Sequence, residues 1–384
     1  MKSTLRWTWP ILATALVLLL PWGLYALRSK RALDVAVLDK TVPYRSRVEH
    51  RSLFWLLDHL KIVGPKGVGY DRDADYLGAF PGPTPGDPPA RTVDLTLDRA
   101  RSADAVYLVD TYGVYRDDLL SGPEMKAALE RSPRIYGGLT LSEAEAARAA
   151  AESGRTLIAE FNTLGSPTAD DARRSLEETL GVRWTRWIGR FFSDLSDRSE
   201  VPEWMRRDYE REWGRPWEFE GPGYVLLQDD VHCEVLRVGV EAKRIGLTLE
   251  REAPVDRLLV DVADGTAYPY WFDVVAAEPG SSVLASFAWR LEAKGLERLE
   301  ARGLPERFPA VVRRERRGGG PSYYFAGDFA DNPMPDGRVP FAGYATLRRW
   351  LERGKLTPSE LAFYWRFYVP MMTRLLDETP RRSG

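Results

Sequence analysis

Four carboxylates stand where short apolar runs of this chain end: Asp39 after "LDVAVL", Asp110 after "ADAVYLV", Glu160 after "RTLIA" and Asp328 after "SYYFAG". A short apolar run bounded by turn residues reads as a buried strand of a parallel sheet. The carboxyl ends of such strands are where open α/β sheets bind ligands. Paired carboxylates on that rim can carry out the acid and base steps at a glycosidic bond. Three carboxylate oxygens with a water can instead hold calcium or magnesium, and each acid alone can cap a helix or pair with an arginine. Glu160, Asp328 and Asp110 are therefore the candidate catalytic groups. Asp39, Lys40, His50, Thr111 and Asn162, at or near the same strand ends, are the candidates for binding a sugar hydroxyl or an anionic group.

Other chemistries lack their residues. The single cysteine, Cys233, alternates with apolar neighbours in "DDVHCEVLRV" and reads as a buried structural thiol. His50 and His59 are not at a metal-ligand spacing and His232 lies far off, so no zinc site is expected. The glycine pairs and triplets at Gly137, Gly138 and Gly318 to Gly320 match neither a phosphate loop nor a dinucleotide fingerprint and read as turns. The sequence thus calls for no metal and no cofactor.

The elements that position the acids alternate. "LDVAVLDKTVP" (33–43) is a strand, and 46–63 places Phe54, Leu57 and Leu60 at helical spacing. The segment 74–92, dense in proline and glycine, is loop. Residues 103–115 give a second strand. Ser142 and Glu145 read as a capping box opening a helix that stops at Gly154. "RTLIAEFN" is the next strand, and Thr168 caps a helix that ends at Gly181. Strand and helix in succession imply an α/β fold with a mostly parallel, doubly wound, flavodoxin-like sheet. Further on, "PAVVRRE" and "SYYFAGD" form a hairpin-like pair, and Pro370 interrupts a helical pattern over 359–379.

The stretch 182–257 is rich in aromatics. Trp184, Trp187, Trp204, Trp213 and Trp217 are either a platform for the apolar faces of a sugar or packing along one edge of the sheet. The 54 basic and 56 acidic residues nearly cancel, and the basic ones form no stripe, so nucleic acid is not an expected partner.

Two quoted stretches, "YGGLTLSEAEAARAAAESGRTLIAEFN" (136–162) and "GGGPSYYFAGDF" (318–329), together resemble the glutamine amidotransferase-like fold. The likeness is to its non-amidotransferase branches, the trehalose-utilisation-like proteins and the domains that accompany some glycosidases, and it spans residues 33 to 333. It implies a class I amidotransferase-like sheet and a link to carbohydrate. The chain departs from the family where a true amidotransferase needs a cysteine elbow, because neither "VDTYGVY" nor "AEFNTLG" contains cysteine; no G-x-S-x-G replaces it. Glutamine amide transfer is excluded.

Finally, "WTWPILATALVLLLPWGLYAL" (7–27) carries no charge and, as a helix, reaches about 30 Å, one hydrocarbon thickness. Aromatic residues stand at both ends. The expectation is a transmembrane helix: an anchor over 1–31, an amidotransferase-like α/β domain over 32–333 with the aromatic insertion at 182–257, and a helical extension with its tail over 334–384. On this reading the chain crosses a bacterial cell membrane once, its body lies outside the cytoplasm, and it binds or processes carbohydrate. The alternative is a non-catalytic module that presents its aromatic middle to an envelope protein.

Overall fold

The computed structural model describes residues 4–42, 45–84, 86–119, 132–228, 231–332, 334, 339–354 and 358–381. The end of the expected tail, 382–384, lies outside them. The strands of the central sheet are β1 (Val35–Asp39), β2 (Leu77–Phe80), β3 (Arg91–Val93), β4 (Ala105–Asp110) and β5 (Thr156–Glu160). A second group, β6 (Val182–Phe192), β7 (Gly223–Gln228) and β8 (His232–Arg237), follows in the chain. The remainder are β9 (Ala242–Arg251), β10 (Thr266–Ala267), β11 (Phe272–Ala277), β12 (Ser281–Leu291), β13 (Arg307–Arg314) and β14 (Ser322–Phe325).

The ten-stranded sheet runs β10-β9-β12-β13-β14-β5-β4-β1-β2-β3. Its centre, β14-β5-β4-β1-β2, is parallel, and the pairings on both sides are antiparallel. The protein is α/β, with a mixed sheet in place of the mostly parallel one expected. Part of the physical reason lies in the connections: the link from β13 to β14, residues 315–321, is too short to cross over and so must reverse the chain. The expected hairpin is present, with Arg314 opposite Ser322. β6, β7, β8 and β11 form a separate antiparallel sheet in the order β8-β7-β6-β11. β9, at the end of the aromatic stretch, belongs to the large sheet.

Helices cover both faces. α1 spans Thr4–Leu27, α2 Val48–His59, α3 Leu141–Glu152, α4 Asp170–Leu180 and α5 Glu203–Trp213. Successive residues of a strand point to opposite faces. Asp39 reaches His50 of α2, and the next residue, Lys40, reaches Glu143 of α3, so these two helices flank the sheet on opposite sides. α2 also packs on the C-terminal helical segment, where Trp55 meets Trp365 and the Tyr364 hydroxyl donates to the Ser52 carbonyl. In that segment Pro370 sits in the first turn of Val369–Glu378, directly after a π-helical turn at Tyr364–Tyr368. The wider turn there accommodates the break that a helix-interior proline imposes.

Two helix starts differ from expectation. The capping box of α3 is Thr140 with Glu143, two residues before the pair read from the sequence, and Glu143 is held there by Lys40. α4 starts at Ala169 with no side-chain cap, because the Thr168 hydroxyl accepts from the Leu139 N–H instead.

Among the described residues no helix is long and apolar enough to cross a membrane. This corrects the expected single-pass anchor through residues 7–27 and the extracytoplasmic placement of the body that followed from it. α1 forms, and its last turns dock on the body. Tyr25 is buried and its hydroxyl donates to the Asp58 carbonyl, Trp22 packs against Phe341, and the Pro21 carbonyl accepts from the Ala342 N–H. The Lys61 ammonium donates to the carbonyls of Ala26 and Arg28, closing the end of the helix.

Where β2 pairs with β1, Gly78 lies opposite Asp39 with φ at +113°, and a Cβ there would sit 1.7 Å from the Asp39 carbonyl oxygen. Gly78→Ala is expected to cost about 3 kcal/mol or more, through both the clash and the positive φ. Thermal unfolding checks it: an unchanged melting temperature would mean that β1 and β2 do not approach as described.

Candidate functional site

The four acids meet on one edge because their strands are neighbours in the order β14-β5-β4-β1. Asp39 is in register with Asp110, and Glu160 with Phe325, three residues before Asp328. All four are buried. What joins the first pair is Thr41: its N–H donates to Asp39 Oδ1 at 2.9 Å and its hydroxyl to Asp110 Oδ1 at 2.7 Å. Asp110 also accepts from the Tyr112 N–H at 2.6 Å and from Asn162 Nδ2 at 3.4 Å. Burial nonetheless pushes the Asp110 carboxyl up to about 7, and the nearby Asp39 adds to it. Asp39 is itself raised by burial, against the pull of His50.

The remaining candidates take two kinds of place. His50 is fully buried, with Nδ1 2.6 Å from Asp39 Oδ2 and Nε2 3.0 Å from the Arg72 carbonyl, to which it donates. Lys40 donates to Glu143 Oε2 at 2.6 Å and to the Gly138 carbonyl at 3.0 Å, on the opposite face of the sheet from His50. Glu160 accepts from the Tyr107 hydroxyl at 2.9 Å and from the Ala330 N–H at 3.2 Å, and burial holds its carboxyl well above the usual range. Asp328 is likewise raised, first by burial and then by Asp331, Asp110 and Glu160, with Arg190 opposing. His50 and Lys40 thus brace the strand ends from the two faces of the sheet. Thr111 and Asn162 stand above the rim: the Thr111 hydroxyl donates to the Asn162 carbonyl at 2.9 Å, and Asn162, half-exposed, turns with φ at +64°.

Two further acids belong to the cluster: Glu49, which the sequence marks as the neighbour of His50, and Asp331, which gave no signal there. Glu49, half-buried at the start of α2, is raised by burial and by Asp39, and Asp331 is raised to about 6 by burial and by Glu360. Crowded carboxyls of this kind retain protons that isolated ones release. Among the described residues no three His, Cys, Asp or Glu side chains are grouped to hold a metal ion.

Asn162 connects the rim to a cavity of about 310 Å³. Tyr112, Phe161, Trp184, Trp204 and Trp271 supply much of its wall, with Tyr115 and Arg186 at its mouth. The floor comes from residues just past β4 and β5, and the facing wall from β6, from the start of α5 and from the turn before β11. Arg186, like Asn162, holds a positive φ, at +70°. Two such non-glycine residues on one cavity mark it, because strained backbone concentrates at ligand sites. Of the five tryptophans singled out in the sequence, Trp184 and Trp204 line the cavity. Trp187 is buried in the main core, while Trp213 and Trp217 pack around Tyr209. Tyr112, Phe161, Trp271 and Arg186 were missed. Tyr112 and Phe161 were within reach, since each adjoins a residue already placed at a strand end.

No family model matches the chain, and no curated protein matches it. Among solved structures it is similar to a cytoplasmic protein from Salmonella typhimurium at 11% identity and TM-score 0.40, covering 91% of this chain and 100% of that one. It is also similar to a ThuA-like protein from Bacteroides uniformis at 10% identity and TM-score 0.36, covering 87% and 97%. A β-galactosidase from Bacillus circulans gives 12% identity and TM-score 0.33, with 78% of this chain matched to 29% of that one. Likenesses at these levels carry no argument, and the fold described above rests on strand order and pairing alone.

The position of Asp110 has a consequence for stability. From about pH 4, where an unfolded carboxyl gives up its proton, to about 7, the folded protein keeps a proton on Asp110 that the unfolded chain has lost. The stability tied to this proton is fully present below that window and is lost as pH rises through it. Asp110→Asn keeps the amide-sized group but cannot ionise. The wild type is expected to lose about 2–4 kcal/mol more than the variant across the window, read by denaturant unfolding. Equal slopes for the two proteins would show that Asp110 ionises in the fold as it does in a free chain.

Proposed function

We propose that this protein binds a carbohydrate in the aromatic cavity above the acidic rim. The observation that carries this is the wall of the cavity itself. Rings from Trp184, Trp204 and Trp271 line a half-open space of about 310 Å³, at the small end of the range of about 300–1,000 Å³ for ligand sites. Aromatic faces bury the apolar C–H faces of a sugar ring, and the Asn162 amide and the Ser166 and Tyr112 groups at the margin supply partners for its hydroxyls. Trp271 is held flat by stacking on Phe161, whose ring centroid lies 6.0 Å away at an interplanar angle of 11°. The trehalose-utilisation-like branch that the sequence resembles is the one we assign to the chain, and it accords with a sugar ligand.

Two activities fit such a site. A binding module needs only the cavity. Catalysis needs a proton donor beside it, and Asp110, tied to the cavity by Asn162 and raised to about 7, is the carboxyl suited to that role. A second carboxylate would have to reach the same sugar. Glu160 is fully buried with both oxygens engaged, which favours the binding module.

Titration with neutral oligosaccharides, followed by tryptophan fluorescence, tests the ligand class. Trp204→Ala and Trp271→Ala are each expected to weaken binding about tenfold, the worth of one stacked ring, while Trp213→Ala, outside the cavity, leaves it unchanged. Absence of saturable sugar binding by the wild type would sink the proposal. Assays with aryl glycosides then separate the two activities. Turnover that Asp110→Asn abolishes while sugar binding persists identifies a hydrolase, and no turnover in the wild type leaves the binding module.

A further inference from the structure

Beyond Tyr115, Ser166 and Arg186, which line the aromatic cavity, the surface continues into an open groove of about 550 Å³ that shares those three residues. Its character is different. The groove is lined by three guanidinium groups, Arg134, Arg173 and Arg186, against one carboxylate, Asp170. Arg173 pairs with Asp170, and its guanidinium carbon lies 5.6 Å from the centre of the Trp184 ring, which ties the groove to the cavity wall. Arg134 donates from Nη1 to the Pro167 carbonyl at 3.1 Å, a bond that orients its planar head at the groove while engaging one of its five N–H donors. Arg186 reaches the border between groove and cavity from a backbone held at φ +70°.

We infer that the ligand is an anionic sugar, with its ring in the aromatic cavity and a phosphate or carboxylate group in the groove between Arg134 and Arg186. This rests on the carbohydrate reading and narrows it. Guanidinium forks bind such oxyanions through two parallel hydrogen bonds, which fixes orientation as well as adding affinity. The two volumes are continuous through Arg186, so one small molecule can present a hydrophobic face to the tryptophans and its charge to the arginines. A neutral sugar would occupy the cavity and leave the cationic groove to water.

Calorimetric titration of the full chain with four probes tests this: a neutral hexose, its 6-phosphate, the corresponding uronic acid and inorganic phosphate. The 6-phosphate or the uronic acid is expected to bind about tenfold or more tightly than the neutral hexose, as one charge-assisted contact provides. Whichever of the two is preferred identifies the anion. The preference should shrink with added salt. In the double variant Arg134→Gln, Arg186→Gln it should vanish, and in Arg134→Gln alone, at a residue that lines the groove and not the cavity, it should shrink while affinity for the neutral hexose stays as in the wild type. Equal affinity for neutral and charged sugars, or a preference that the double variant retains, overturns the inference and leaves the carbohydrate site standing. If no sugar binds but inorganic phosphate does, and the double variant loses it, the carbohydrate reading fails and the anion site survives alone. Failure of all four probes overturns both.

Discussion

Thr41 holds two buried carboxyl groups side by side. Its backbone N–H goes to Asp39 and its hydroxyl to Asp110, at the point where two parallel strands end in register. Two carboxylates at that separation in a dry interior repel one another, and the hydrogen bonds they accept offset only part of the cost of burial. The fold meets this by letting the acids keep protons. Asp110 is raised to about 7, and Asp39, Glu160 and Asp328 are raised as well. Everything above the rim stands on this arrangement: the Gly113 N–H donates back to the Thr41 hydroxyl, and Tyr112 donates its N–H to Asp110, which places the turn that floors the cavity.

Buried hydrogen bonds on the two faces give the rim its rigidity. Below one face, His50 ties Asp39 to the Arg72 carbonyl, and α2 is fixed in turn by Ser52, whose hydroxyl donates to the Ala330 carbonyl. Below the other, the buried Lys40–Glu143 pair anchors the start of α3. Breaking such a pair by removing one partner leaves an uncompensated buried charge, which is far more costly than the pair is stabilising. These residues hold the strand ends in place and leave recognition to the residues above them.

The second sheet gives the cavity its ligand-sized character. Without β6 and the start of α5, the ends of β4 and β5 would present Tyr112, Phe161 and Asn162 to bulk solvent as a shallow ledge. With them, Trp184, Trp204 and Trp271 enclose the ledge, and Arg186 and Arg173 bring positive charge to its edge. An apolar enclosure with charge at its margin orients an amphipathic ligand, because the two ends of the ligand have only one favourable placement each.

Strands β1, β4 and β5, the hairpin of β13 with β14, and the acids that follow the central strands are legible in the residue pattern alone. Short apolar runs with turn residues at their ends depend on local patterning, and local patterning survives folding. Aromatic enrichment in 182–257 was equally plain. Which of these features work together depends on contacts between distant segments. Thr140 and Ser142 each stand three residues before a glutamate, and a lysine 103 positions from Glu143 selects the first pair. Trp204 and Trp213 look alike on one helix, yet one faces the cavity and the other packs beside Tyr209, because the approach of β6 and of the turn at Trp271 chooses the face. The docking of α1 on the body could not be read from its apolar run, since its partners Asp58, Lys61, Phe341 and Ala342 come from distant segments. Periodicity reports which residues are apolar; long-range contact fixes what they are apolar against.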